Sequence, residues 1–391
     1  MTSRSVNMLK TIGTHSGTFH CDEALGCFLL GRTSQFRDAP VTRTRDEETL
    51  KKLDCVIDVG GVYDPALHRY DHHQRGFTEV FGQGGYDVVK LSSAGLVYKH
   101  FGMEVISSET GLALDHPDTH VLYLAMYKHF IQGVDAVDNG VEQFQALVSH
   151  KRKAALEEEG EGEGEGEGEG EGEGGGGGEG EGAAQATEEP SSSLPDISLV
   201  KVYLEETSLG HRVSALNAAW NEDASDAVQD ERFAVASEMA GKEFLSKLKY
   251  LHSSWLPARS IVKSAILERF NSDESGKIIT LGQYCPWKDH LFELEKELSI
   301  AGEIIYCLYQ DSRSKQWRIM SVPEGDAGSF SQRKPLPAHW RGLRGAALDS
   351  ITNMPGGTFV HIAGFTGGHE TYEGMLALAK MAIMDTCCCC Q

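Results

Sequence analysis

The sequence predicts an α/β fold with an N-terminal domain on a mostly parallel sheet and a smaller C-terminal α/β domain. Three observations support this class. Short apolar runs alternate with helical periodicity in the N-terminal half. Two alternating segments, 304–309 and 316–322, flank the turn DSRSK and predict a β-hairpin. Residues 358–385 follow with a predicted strand, a Gly-rich loop and a helix.

Composition sets the domain boundaries. The 391-residue chain contains a segment, 157–189, with 14 Glu and no Lys or Arg. Alternating Glu and Gly cannot bury apolar surface, so 151–195 is predicted to be a disordered insertion or linker. The other predicted units are a first domain over 8–150, a helical region over 196–270 that completes or links it, a C-terminal domain over 271–386 and a Cys-rich tail over 387–391.

The charge is unevenly distributed. The net charge is −22, and without those 14 Glu the remainder carries −8. This remainder is not typical of a protein that binds nucleic acid through a basic face, although a bound metal can supply local positive charge. No apolar run reaches transmembrane length, no clear presequence is present, and the cysteine spacing favours reduced thiols. We therefore expect an intracellular protein without a transmembrane segment.

The most informative stretch spans residues 54–74, DCVIDVGGVYDPALHRYDHHQ. Asp58 stands near the C-terminal end of a short apolar run that is followed by two glycines, which is typical of a buried strand. Asp71, His72 and His73 follow in the next loop. A carboxylate at a strand end with imidazoles in a nearby loop is a common way to build a metal site.

A second group of polar residues follows the first predicted strand, 8–14. His15, His20 and Asp22 lie in a Gly-containing loop, and a helix is predicted to begin at about Asp22. Glu23 is also interpreted as a first-turn residue that favours the helix dipole. Loops at the C-terminal ends of strands are where open α/β sheets bind ligands. The loop is therefore a candidate metal-binding segment.

Two further regions contain candidate site residues. A helix predicted over 118–137 ends at DAVDNG, and either Asp135 or Asp138 could supply another carboxylate. In the C-terminal domain, the sequence GFTGGH precedes a predicted helix. The backbone amides of such a loop could bind a phosphate, but the segment could equally be a plain tight turn.

Together, these residues predict a divalent metal site. Imidazole and carboxylate ligands without thiolate suit Mn²⁺, Mg²⁺ or Zn²⁺. Two ions that share a bridging carboxylate would activate water and neutralise a phosphoryl group, and Asp58 is the best bridging candidate because it lies on the most rigid element. The combination predicts metal-dependent hydrolysis of phosphoesters.

The motif Asp71-His72-His73, with an upstream Asp in an apolar strand, resembles the DHH phosphoesterase superfamily. The segments THSGTFHCDEALG, DVGGVYDP, RYDHHQRGF, DAVDNG, PARSIV, GKIITL, CPWKDHLFELE, WRGLRG and GFTGGH together resemble the melanocyte proliferating gene family. This resemblance implies a DHH-type N-terminal domain, a C-terminal substrate domain and a 3′-to-5′ exonuclease that acts on RNA. It also implies a location in nuclei, cytoplasm or mitochondria.

The resemblance also implies roles for individual residues. Asp58 matches the bridging ligand, His72 a further metal ligand, and His73 a residue that faces the phosphate. His20 stands where many members of the superfamily have Asp, which changes the ligand set of the first ion. The implied metal ligands are His15, His20, Asp22, Asp58, His72 and either Asp138 or Asp135, and Mn²⁺ is the first choice of ion. The implied substrate contacts are Gly367, Gly368 and His369. Arg259, Arg341 and Arg344 are candidate phosphate contacts, because an arginine guanidinium can bind a phosphate through two parallel hydrogen bonds.

Three functions agree with these observations. The first is a 3′-to-5′ exonuclease for single-stranded RNA or short oligonucleotides. The second is a phosphatase or pyrophosphatase of small molecules at the same metal site, which the acidic balance favours slightly. The third is a regulatory or scaffold protein with a vestigial site, which the intact His/Asp set argues against.

Overall fold

The computed structural model describes residues 9–141, 206–325 and 331–385. The predicted insertion at 151–195 and the Cys-rich tail at 387–391 therefore lie outside the described residues. The described part has helices and two mixed sheets, as the α/β prediction requires. None of its helices has the length and apolar character needed to cross a membrane.

The N-terminal sheet has the strand order β2-β1-β3-β5-β4. All neighbours are parallel except β4 and β5, which pair antiparallel. Its strands are β1 (Ile12–Thr14), β2 (Val41–Arg43), β3 (Cys55–Ile57), β4 (Tyr63–Asp64) and β5 (Arg69–Tyr70). Parallel neighbours place the C-terminal ends of β1, β3 and β5 at one edge, so the loops that follow them meet there.

Helices cover this sheet and bury its apolar residues. Helices α1 and α3 pack on each other, α1 contacts β3 and α3 contacts β5, and the first core includes Ile12, Leu25, Ile57 and Val97. The helices are α1 (Cys21–Leu30), α2 (Glu47–Leu50), α3 (Ser93–Thr110), α4 (Pro117–Met126) and α5 (Gln132–Asp138). A π-helical turn, Tyr127–Ile131, joins α4 to α5, so the predicted helix over 118–137 is confirmed.

A long helical segment connects the two sheets. The short helix α6 (Leu209–Ser214) precedes α7 (Asp226–Tyr250), which continues through a π-helical turn, Leu251–Trp255, into α8 (Leu256–Leu267). Phe233 and Phe244 of α7 pack in the first core, whereas Val262 and Ile266 of α8 pack in a second one. This helical segment thus contributes residues to both cores.

The C-terminal sheet has the strand order β6-β7-β8-β10-β9. Only the pair β6 and β7 is parallel, and the predicted hairpin is the antiparallel pair β7 and β8. The strands are β6 (Ile278–Thr280), β7 (Tyr306–Gln310), β8 (Trp317–Ser321), β9 (Gly357–Val360) and β10 (Thr366–His369). The helices are α9 (Arg269–Ser272), α10 (Lys288–Glu297), α11 (Gly345–Thr352) and α12 (Tyr372–Met384).

One element of this half differs from the prediction. The segment GFTGGH was predicted as a loop, but Thr366–His369 forms strand β10 between β8 and β9. Glycine is depleted in strands, so residues 366–369 show no local pattern that predicts a strand. A strand that is paired on both sides commits its amides to the sheet, and β10 therefore offers no open backbone loop for a phosphate.

Candidate metal centre

The site lies at the edge of the N-terminal sheet where β1 and β3 end. His15 directly follows β1 and Asp58 directly follows β3, and both side chains are buried. Asp58 adopts a left-handed backbone conformation, with φ of +57°. A non-glycine residue in this region costs on the order of 1 kcal/mol, and such strain is concentrated at functional sites. The turn directs the Asp58 carboxylate to His15, whose Nε2 lies 3.3 Å from Asp58 Oδ2.

Helix α1 supplies two buried acids from its first turn. His20 is the N-cap residue, and its backbone N–H donates to Glu23 Oε1 over 2.8 Å. Glu23 Oε1 also lies 3.0 Å from His15 Nε2. Asp22 and Glu23 are 1% and 0% exposed, whereas an acid that only interacts with the helix dipole can remain in solvent. Glu23 therefore belongs to the site and fixes both the loop and the His15 ring.

The loop after β5 contributes Asp71, His72 and His73. Asp71 is buried and accepts hydrogen bonds from the backbone N–H of His73 over 3.0 Å and from that of Gly61. Its Oδ1 also lies 2.9 Å from His73 Nδ1, and the His73 side chain is 62% exposed. His72 is turned inward, with Nε2 3.4 Å from Asp58 Oδ1. Asp71 therefore positions His73 rather than facing the cluster itself.

The two aspartates at the end of α5 have different surroundings. Asp138 Oδ2 lies 3.1 Å from His72 Nε2, and Asp138 faces Asp22. Asp135 is fully buried and accepts hydrogen bonds from Ser92 N over 3.0 Å and Ser92 Oγ over 2.7 Å. The geometry thus places Asp138 in the cluster, and Asp135 instead fixes the start of helix α3.

The ligand atoms converge into three overlapping groups, and within each they lie within 4.8 Å of one another. Asp58 and His72 each belong to two of these groups. The groups, found among the described residues, are His15, His20, Glu23 and Asp58; Asp58, His72 and His73; and Asp22, His72 and Asp138. Nitrogen and oxygen donors in this mixture fit a hard or borderline divalent ion.

The protonation equilibria reflect this crowding. Burial alone would raise the pKa of Asp58, but the imidazoles of His15 and His72 and the Ser93 hydroxyl outweigh it and hold that pKa well below its ordinary value. Burial would likewise lower the pKa of His15, but its bonds to Asp58 and Glu23 raise it to about 9. Without an ion, protons on the imidazoles balance part of the carboxylate charge.

Asp22 and Asp138 have raised pKa values. For both residues the main cause is burial, and repulsion from Asp58 adds to it. In addition, Asp22 Oδ1 and Glu23 Oε2 are buried and have no hydrogen-bond partner among the described residues. Buried acceptors without donors are what a bound cation would satisfy, and so the residues present fit a divalent metal.

Helix α3 completes the site in a way that sequence reasoning missed. Ser93 Oγ donates to Asp58 Oδ1 over 2.9 Å, and the Ser93 backbone N–H donates to Asp22 Oδ2 over 3.3 Å. Ser92 is the N-cap residue of α3, and its side chain accepts from the Gly95 N–H. The N-terminal end of α3 thus directs its partial positive charge at the acids. The two adjacent serines were the only sequence signal.

A cavity of about 860 Å³ adjoins the cluster. Asp22, Asp138 and His20 line it on one side, and Lys128 and His129 of the π-helical turn line it on another. Helix α6 adds further wall residues, Ser208, Leu209, Gly210 and Ser214. The cavity is large enough for a nucleotide-sized ligand with direct access to the carboxylates.

The predicted substrate contacts of the C-terminal half lie in other environments. His369 is buried, with Nδ1 accepting from Thr371 N over 3.0 Å and Nε2 lying 3.1 Å from Pro355 O. Gly367 and Gly368 are in strand β10. Arg259 forms ion pairs with Glu293 and Glu297 of α10. His369 and Arg259 therefore make their contacts within the fold, and a phosphate would have to compete with these partners.

The remaining two arginines lie around β9. Arg341 donates from Nε to the Leu336 carbonyl over 2.9 Å. Arg344 is exposed at the N-terminus of α11, with its guanidinium 5.8 Å from the centre of the Phe359 ring. Arg341 is thus held by a backbone carbonyl, and Arg344 is the more accessible of the two.

The fold and the cluster define an α/β protein with a buried carboxylate–imidazole centre of the kind that binds divalent metal ions. The chain matches the family model MYG1_exonuc, described as "Uncharacterised protein family (UPF0160)", over residues 11–159 and 186–383. The chain belongs to this family, which confirms the resemblance to the melanocyte proliferating gene family. No solved structure matches the chain.

Curated relatives extend over nearly the whole chain. A human protein named "MYG1 exonuclease" is 41% identical over 95% of this chain and 85% of its own length. A bovine protein of the same name is 42% identical over 95% of this chain and 84% of its own length. A MYG1 protein of Caenorhabditis elegans is 39% identical over 96% of each chain.

Proposed function

We propose that this protein is a divalent-metal-dependent phosphodiesterase that removes nucleotides from the 3′ end of single-stranded RNA. The observation that carries the proposal is the overlap of the three groups of ligand atoms at Asp58 and His72. Such an overlap suits two neighbouring ions with a shared carboxylate, as the DHH resemblance implies. The names of the mammalian relatives, "MYG1 exonuclease", support a nuclease-like activity.

Two sets of residues would hold the ions. His15, His20 and Asp58 would hold the first, with Glu23 orienting His15. Asp22, His72 and Asp138 would hold the second, next to Asp58. Bound ions would supply Lewis-acid charge and a water of lowered pKa. Mn²⁺ is our first choice, and Mg²⁺ and Zn²⁺ are the alternatives, because the donors are imidazole and carboxylate.

The protein itself would orient the substrate and manage protons. His73 Nδ1 lies between Asp71 Oδ1 at 2.9 Å and Asp58 Oδ1 at 3.4 Å. Because Nδ1 faces these acids, the exposed side of the ring presents Nε2 to solvent, where the doubly protonated imidazolium would donate to a substrate phosphate. Ser93 would hold Asp58 in place through its hydroxyl. Lys128 in the cavity wall, which forms an ion pair with Asp289 over 2.7 Å, would place a cation near the substrate backbone.

The direct test is hydrolysis of a 5′-labelled single-stranded RNA by metal-stripped protein, with each ion added back separately. We expect a ladder that shortens from the 3′ end and requires the ion. Asp58→Ala should lower the rate by at least about 100-fold, the size of effect of losing one well-placed electrostatic contact. Asp87→Ala, which removes an exposed aspartate of the same part of the chain, should leave the rate unchanged.

Different results would contradict different parts of the proposal. Full activity of Asp58→Ala would refute the site. A ladder that shortens from the 5′ end would refute the polarity. If RNA is not cleaved but small phosphate esters are, and Asp58 is needed, then the metal centre stands and the substrate assignment is wrong. Calorimetric titration of Mn²⁺ into wild type and Asp58→Ala gives a readout that does not depend on any substrate.

A further inference from the structure

The loop between α6 and α7 carries an unusually exposed aromatic side chain. Trp220 is 97% exposed, more than any other large hydrophobic residue among those the structure describes. Tryptophan is highly buried on average, because its ring removes a large apolar area from water. Folding gains nothing from this ring, which points to a ligand that covers it.

The loop is held firmly, so the exposure of Trp220 does not reflect a loose chain. Ala219 N donates to Glu222 Oε2 over 3.0 Å, and Glu222 N donates back to the Ala219 carbonyl over 3.0 Å. Arg232 of α7 forms an ion pair with Glu222 over 3.0 Å and donates to the Asn217 carbonyl over 3.2 Å. Contacts on both sides of Trp220 therefore fix the backbone that presents the ring.

The same loop is attached to the metal centre. Asn217 Oδ1 accepts from the Phe19 backbone N–H over 2.9 Å, and Asn217 Nδ2 donates to the Phe19 carbonyl over 2.9 Å. The residue that follows Phe19 is His20, which belongs to the first group of ligand atoms. Helix α6, which ends just before this loop, lines the cavity beside Asp22 and Asp138. The Asn217 amide thus joins the Trp220 loop to the cluster.

The distance suits a short piece of polynucleotide. Asn217 and Trp220 are three residues apart, which limits their Cα separation to about 10 Å. A stacked strand covers about 3.4 Å per nucleotide, so about three nucleotides span this separation, and the further step from Asn217 to the metal cluster requires a longer strand. Exposed aromatic rings along a binding path are the usual stacking surfaces for the bases of single-stranded nucleic acids, and they need no sequence preference.

We propose that Trp220 stacks on a base of a single-stranded nucleic acid whose 3′ end is bound at the metal cluster. The inference rests on the proposed function, and it adds a binding site for an upstream nucleotide. The bulk charge of the chain is acidic. Stacking does not depend on a basic surface, so it explains how such a chain could retain RNA without one.

The first experiment measures binding without cleavage. A ten-nucleotide single-stranded RNA is added to Asp58→Ala protein while tryptophan fluorescence is recorded. Trp255 and Trp340 are buried, whereas Trp220 is open to solvent, so we expect quenching that is lost when Trp220→Phe is added. Quenching of equal size in both proteins would overturn the inference.

The second experiment measures KM for the ten-nucleotide RNA and for a dinucleotide with wild-type protein and Trp220→Ala. We expect KM for the longer RNA to rise by about 5-fold to 100-fold, the equivalent of one stacked base. The change for the dinucleotide should be much smaller, because a dinucleotide does not reach the ring. Trp220→Phe should recover most of the loss. Tyr250→Ala, which removes another exposed aromatic ring, should change neither KM.

The outcomes separate this inference from the proposed function. If wild type shortens RNA and Trp220→Ala has an unchanged KM for the longer substrate, the inference is wrong and the function stands. If wild type cleaves no RNA but the ten-nucleotide strand still quenches Trp220, the function is wrong and the binding site stands. A wild-type dimer that Trp220→Ala converts to a monomer, with KM unchanged, would assign the ring to a second copy and overturn the inference.

Discussion

Buried polar side chains in the two halves of the molecule differ in what their atoms contact. At the N-terminal sheet edge, Asp22 Oδ1 and Glu23 Oε2 have no hydrogen-bond partner among the described residues. In the C-terminal half, Glu295 is 1% exposed, but its two oxygens each lie 2.7 Å from a different guanidinium nitrogen of Arg333. One region contains converging acids with free acceptors, and the other contains a closed ion pair.

This difference shows which buried charge is structural and which awaits a ligand. A buried polar atom without a partner costs about 1–3 kcal/mol, so a fold keeps several together only when something offsets the cost. A divalent cation would do so at the N-terminal edge, whereas the pair of Arg333 and Glu295 needs nothing more. Substitutions of matched residues in the two regions test this distinction.

The largest effect is expected for the two aspartates at the end of α5. Asp138→Asn should lower Mn²⁺ affinity and RNA hydrolysis by about 100-fold, because Asp138 lies in a group of ligand atoms. Asp135→Asn should change both much less, because the amide oxygen can still accept the two hydrogen bonds from Ser92. Calorimetric titration with Mn²⁺ and the RNA assay measure the two effects.

Stability without metal provides the control for this pair. Burial and Asp58 raise the pKa of Asp138, so its charge destabilises the folded state. Metal-free Asp138→Asn should therefore be no less stable than wild type in thermal unfolding. If Asp135→Asn instead abolishes Mn²⁺ binding and Asp138→Asn does not, the assignment of these two residues must be exchanged.

A smaller effect is expected from His290, an isolated buried histidine. Its Nε2 lies 2.7 Å from the Trp255 carbonyl, and Nδ1 has no partner among the described residues. Burial is the main cause that lowers the pKa of His290 to about 4, and Arg259 contributes. Between pH 6.5 and about 4 the unfolded chain binds this proton and the folded chain does not. The free energy of unfolding should therefore fall by about 3 kcal/mol as the pH decreases through this range.

Urea unfolding across that pH range, with His290→Gln and the exposed His339→Gln as matched variants, measures the contribution of His290. The pH dependence should become shallower in His290→Gln and stay unchanged in His339→Gln. An unchanged slope in His290→Gln would mean that His290 is charged in the folded protein. His290 differs in this respect from the acids of the metal centre. Its single unpartnered nitrogen can stay unprotonated and leave the side chain neutral, whereas the crowded acids cannot all be neutral.

The sequence predicted the parts of the site that depend on local pattern. Asp58 at a strand end and Asp22 at a helix start follow from periodicity and strand ends, and the structure places both as expected. The choice between Asp135 and Asp138 could not be predicted, because it depends on which face of α5 meets the loop after β5. Ser93 was missed for the same reason, since its contacts with Asp22 and Asp58 are long-range.

The C-terminal half shows a different limit. Strand β10 exists because β8 and β9 pair with it on both sides, and the glycines in its sequence oppose that state locally. The resemblance to a phosphate loop rested on this Gly-Gly-His segment. Tertiary pairing overrode the local preference there. The role implied for His369 is therefore the prediction that the geometry supports least.

The smallest effect therefore tests His369 itself. The ring packs against Gly374, where an added Cβ would lie 1.9 Å from Cε1, and it accepts from the Thr371 N–H. His369→Ala should lower the free energy of unfolding by about 2 kcal/mol, because a buried donor loses its acceptor and a void forms. KM for RNA should stay unchanged. His361→Ala, at an exposed histidine of the same half, should change neither quantity. A raised KM at full stability in His369→Ala would return the segment to the substrate site. Satisfied hydrogen bonds around a buried side chain would then not be enough to identify it as structural.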